Sequence, residues 1–137
     1  NGTEIIFACG GSMFSSIVSA ASANDLFVVG VDVDQSYESE TVVTSALKGL
    51  VNATSWAIGK YYADEWDEVG NIATSLGAND DAVGLPTDTW ALESYTIEEY
   101  EALLASIKDG TVVIDDTVLE ADAVVNAGLE NVEIIYE

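Results

Sequence analysis

The chain has 137 residues, 49% of them apolar, which is enough for one domain with a real core rather than a disordered acidic tail. It carries 25 acidic residues against 3 basic ones, a formal net charge of -22. That excess excludes nucleic-acid binding, whose phosphates would be repelled, and docking on anionic lipid through a basic patch. The acidity fits adaptation to high salt or an acidic exported surface protein, and composition does not separate the two.

In chain order, Glu4 to Ala8 reads as a buried strand that Gly10 and Gly11 break. A helix is expected from about Ser12, with Phe14, Ile17, Val18 and Ala21 at helical spacing on one face. Cys9 lies in the apolar run and is expected to be a buried, inert thiol. Leu26 to Val31 is a second apolar strand, followed by a polar loop from Asp32 to Thr41. Val42 to Ser45 reads as a short strand and Leu47 to Trp66 as a helix. Asn71 to Leu76 is a fourth strand candidate, and a Gly/Asn/Asp-rich loop leads to Gly84-Leu85-Pro86.

Thr96, with Glu99 three residues on, is a capping-box signature for the next helix. Glu98, Glu99 and Glu101 suit its positive end, Lys108 its negative end, and Gly110 the left-handed position beyond it. Val112 to Ile114 is a further strand candidate. Thr117 and Glu120 repeat the capping box for a helix that Gly128 would close, and Val132 to Tyr136 reads as a last strand. Strands alternating with helices predict an α/β fold with a largely parallel sheet flanked by helices. No run approaches the roughly 18 apolar residues of a membrane span. The chain opens on Asn1 rather than Met, as a fragment or a processed protein would.

Two loops fall at the expected C-terminal ends of neighbouring parallel strands, the edge where open α/β sheets bind ligands. The first is Gly10-Gly11-Ser12-Met13, whose glycines let a ligand approach the backbone. The second is Asp32-Val33-Asp34-Gln35, whose carboxylates offer acceptors for hydroxyl groups. A tight strand-to-helix turn and a solvated loop start would account for them equally well. Lys48, one of three basic residues, is expected near a helix start, where the dipole disfavours a cation, so it needs an anionic or polar partner. The chain has no His, which removes His-based triads and His metal sites, and it has no phosphate loop. Neither an enzyme activity nor a cofactor or metal is implied.

An ordered set of segments resembles one family. "IIFACGGSMFSSIVSAAS" is similar to its strand, Gly-Gly loop and helix, and "FVVGVDVDQSY" to its Gly-Val-Asp-x-Asp-Gln motif. "VVTSALKGL" is similar to a run in which Thr-Ser precedes a lysine, and "AVGLP" and "SIKDGTVVI" to its closing segment. The family is that of the basic membrane proteins, the purine-nucleoside-receptor-like substrate-binding lipoproteins of ABC importers.

The resemblance implies one lobe of a two-lobed, periplasmic-type binding fold over residues 1–115, with 116–137 as a helix–strand extension. It implies an extracytoplasmic, lipid-anchored protein that hands a purine nucleoside to the membrane subunits of an importer. By motif position Asp32 and Lys48 would hold the ribose, with Asp34 beside them. Gly10, Gly11 and Ser12 would lie next to the ligand, and Phe14 would be a candidate ring contact. The family usually has another glycine after the Gly-Gly pair, where this chain has "SMFSS", and its name refers to basic proteins where this chain is acidic. Most of the first lobe would lie outside the chain, and Gly84 to Pro86 would fall on that lobe's side of the hinge. A ligand-sensing regulatory domain on the same fold is the alternative.

Overall fold

The computed structural model describes residues 2–115. Among these residues four strands form one sheet in the order β1-β2-β3-β4: β1 Ile5–Phe7, β2 Phe27–Asp32, β3 Val42–Lys48 and β4 Val83–Gly84. The first three are parallel, and β4 returns antiparallel on β3. Three α-helices accompany them among the described residues: α1 Phe14–Ser22, α2 Leu50–Tyr62 and α3 Ile97–Lys108. The chain is therefore α/β with a largely parallel sheet flanked by helices, as its pattern predicts.

The core lies where α1 meets the first strands. Phe14 and Ala21, seven residues or two turns apart, join Ala8, Val28 and Val42, with Ile6, Ile17, Val18 and Leu26 packed around them. Phe14 is thus a core residue, only 7% exposed, and not a free ring at the ligand edge. Its helical spacing with Ala21 decides this, because the face that carries Ala21 is turned to the sheet. Cys9 corrects a second expectation. It is exposed, because it is the first residue after Ala8, and the chain leaves the sheet there.

Local signals are well obeyed at α3. Thr96 Oγ1 accepts from the Glu99 N–H at 3.2 Å, and the Thr96 N–H donates to Glu99 Oε2 at 2.8 Å. Gly110 follows at φ +80°, the left-handed conformation only glycine adopts freely. The strand expected to be buried at Glu4 to Ala8 is not, since Ile5 and Phe7 are more than half exposed, and three element assignments also fail. The segment 71–76 is not a strand; the fourth strand is β4, which pairs Gly84 with Leu47 and Val83 with Lys48. That pairing, with Leu47 opposite Asp32 on the other side, draws Leu47 and Lys48 into β3, so α2 begins only at Leu50. Residues 112–114 form no strand either. The expected elements at Thr117–Gly128 and Val132–Tyr136 lie outside the described residues.

Candidate functional site

The C-terminal ends of β2 and β3 open into a cavity of about 540 Å³, within the ordinary range for small-molecule sites. Asp32, Val33, Asp34 and Tyr37 line it from the β2 side, and Leu47, Lys48 and Gly49 from the β3 side. Asp81 and the stretch Val83 to Asp88 form the third wall. The structure therefore brings together Asp32, Asp34 and Lys48. Gly10, Gly11 and Ser12 stand beyond β1 at the same sheet edge but do not line this cavity. Gly84 to Pro86 belong to its wall, held by the β3 pairing and by the Leu85 N–H, which donates to the Tyr100 hydroxyl at 2.9 Å.

The two aspartates differ in what they already hold. Asp34 Oδ1 accepts from the Ser36 N–H at 3.0 Å, and Oδ2 accepts from the Thr89 hydroxyl at 2.7 Å. Partial burial pushes the Asp34 carboxyl up, but the Ser36 N–H and the Thr89 and Ser36 hydroxyls outweigh it, and the group lies below the ordinary aspartate value. Asp32 is exposed, and its side chain has no hydrogen bond or ion pair among the described residues. Strand alternation predicts that Asp32 and Asp34 point to opposite sides. Both line the one cavity instead, because the chain turns sharply at Asp32, which sits at φ +68°.

The lysines divide in the same way. Lys60 pairs with Glu65 at 2.6 Å and with Glu68 at 3.4 Å, and Lys108 pairs with Asp81 at 2.6 Å. Lys48 has no such partner among the described residues, and it lies at the end of a strand rather than in the first turn of a helix. It stands one residue before Gly49, the N-cap of α2, where the helix dipole disfavours a cation. Lys48 is also the cavity's one lysine, facing a lining that includes Asp32, Asp34, Asp81 and Asp88.

Sequence reasoning missed Gln35, Ser45, Tyr37 and Thr89. Gln35 and Ser45 stand inside the quoted motifs, and Tyr37 sits 83% exposed two residues beyond Gln35. Thr89 carries no local signal, since its bond to Asp34 spans 55 residues.

The family profile described as Bmp, ABC transporter substrate-binding protein PnrA-like, matches residues 1–117. The chain belongs to the Bmp family. Among curated proteins it is similar to "Basic membrane protein D" of Borreliella burgdorferi (strain JD1), 33% identical over 88 residues. Those residues make up 62% of this chain and 26% of that protein, so the chain matches about a quarter of its relative's length. Bmp-family members are extracytoplasmic substrate-binding proteins, not enzymes.

Proposed function

We propose that the chain is the C-terminal lobe of an extracytoplasmic solute-binding protein that delivers a purine nucleoside to an ABC importer, anchored by lipid outside this segment. Asp32 accepts from the ribose hydroxyls, and Lys48 donates to them. One observation carries the reading: a carboxylate and an ammonium, both without protein partners among the described residues, line the same cavity at the C-terminal edge of a parallel sheet. Elsewhere in so acidic a chain the other two lysines are ion-paired. The second lobe would close over this face and supply the opposite wall.

Titration calorimetry of the full-length protein with inosine and guanosine tests the reading. Saturable binding is expected, weakened by Asp32→Gly on the order of 30-fold or more, the scale of hydrogen bonds to a charged group. Glycine is the informative replacement because it accepts the positive φ of that position. Unchanged affinity in Asp32→Gly would remove Asp32 from the site.

A further inference from the structure

Asp32 reaches the cavity in a backbone conformation that the motif does not announce. The Val33 N–H donates to the Val31 carbonyl at 2.8 Å across Asp32, which stands at φ +68°. A bond from residue i+2 back to residue i around a positive φ is the γ-turn of the rare, strained kind. Strained backbone persists only where its surroundings over-determine it. Here the surroundings are two residues that do not touch the cavity, Gln35 and Ser45.

Gln35 closes the loop back onto β2. Its Oε1 accepts the Val31 N–H at 2.8 Å, so Val31 is held through its N–H by Gln35 and through its carbonyl by the γ-turn. Gln35 is itself held, because its N–H donates to Ser45 Oγ at 3.0 Å on β3, and Ser45 is fully buried. The three groups meet over Gly30, which pairs with Ser45 in the sheet. A Cβ on Gly30 would stand 2.6 Å from Gln35 Oε1 and 2.7 Å from Ser45 Oγ, so only glycine leaves room for the clasp.

We propose that Gln35, clasped by Ser45 over Gly30, is a positioning residue that holds the Asp32 turn and so presents the Asp32 carboxylate to the ligand. This inference rests on the reading of Asp32 as a ligand contact. It assigns work to the Gln of the Asp-x-Asp-Gln run and to the Ser of the Thr-Ser pair, neither of which lines the cavity. A side-chain acceptor four residues on from the N–H it caps is a local device; its anchorage ten residues away on the next strand makes it rigid.

A double-mutant cycle on the full-length protein, read by calorimetric titration with inosine, tests the proposal. Gln35→Ala should weaken inosine binding about fivefold, the scale of one lost neutral hydrogen bond. In an Asp32→Gly background the same change should cost nothing further, because the carboxylate it positions is gone. Gly30→Ala, which wedges the clasp apart, should follow the same pattern and gives a second entry to the cycle if Gln35→Ala folds poorly. An equal loss from Gln35→Ala in both backgrounds would mean a general effect on the fold and would overturn the positioning role. So would full affinity in Gln35→Ala beside a weakened Asp32→Gly. Full affinity in Asp32→Gly itself would overturn the ligand reading, and the positioning role with it.

Discussion

The Thr89 hydroxyl donates to Asp34 Oδ2 at 2.7 Å and ties the loop after β2 to the segment after β4, across 55 residues of chain. Both segments line the cavity, so this bond joins two of its walls. Asp34 therefore shapes the site, and its own carboxylate oxygens are already engaged by protein donors.

The bond makes a pH-dependent contribution to stability whose sign follows from the lowered Asp34 pKa. The folded state holds this carboxylate in its charged form more firmly than the unfolded chain does. The contribution is thus fully present above the ordinary aspartate pKa of about 3.9 and is lost as pH falls through the lower folded value. Urea unfolding of wild type and Asp34→Asn at a series of pH values below about 5 should show a shallower acid loss in the variant. Parallel curves would show that Asp34 titrates alike in the folded and unfolded chain.

The turn at Asp32 predicts a conflict between stability and binding. Asp32→Gly relieves a strained position and should leave the protein as stable or more stable, by up to about 1 kcal/mol, while weakening nucleoside binding. Asp32→Ala keeps the strain, loses the polar side chain that tolerates it, and should be the less stable of the two by about 1 kcal/mol. Denaturant midpoints of the two variants, compared with the wild type, check the order.

Lys48 gives the test of the ribose clamp. Lys48→Met keeps most of the apolar stem and removes the charge. It should weaken inosine binding at least about tenfold, or 1.4 kcal/mol, and combine non-additively with Asp32→Gly if, as proposed, both groups hold one ribose. A near-neutral result would make Lys48 a plain surface lysine.

The charge around the cavity predicts selection against phosphorylated ligands. Asp32, Asp34, Asp81 and Asp88 line it against Lys48, with Lys108 offsetting Asp81 from outside. Inosine 5′-monophosphate should bind at least about tenfold more weakly than inosine at low salt. The gap should narrow as sodium chloride screens the carboxylates. Paired titrations at low and physiological salt measure both effects.

On the scale of the whole chain, a net charge of -22 should make stability rise with salt. A thermal scan of this chain between low and molar sodium chloride is expected to show an increasing melting temperature. A flat curve would mean that the carboxylates are spaced widely enough not to repel.

What could be read from the sequence is what neighbours within about two helical turns decide. The Thr96–Glu99 box, Gly110 beyond α3, the two-turn α1 face of Phe14, Ile17, Val18 and Ala21, and β2 with Asp32 at its end all depend on residues close together in the chain. The ordered motifs were also enough to point to the family. Register was not legible. β3 runs on through Lys48 because β2 and β4 both pair with it there, and no property of residues 42–48 alone states that. The same holds for the site. The motif puts Asp32 and Asp34 near a sheet edge, but only the turn at φ +68° aims both at one cavity. Gln35 finds Ser45 and Asp34 finds Thr89 because the sheet brings those strands and loops together. Hydrogen bonds that span ten or more residues are set by tertiary register, which is fixed by the packed core as a whole and not by local sequence.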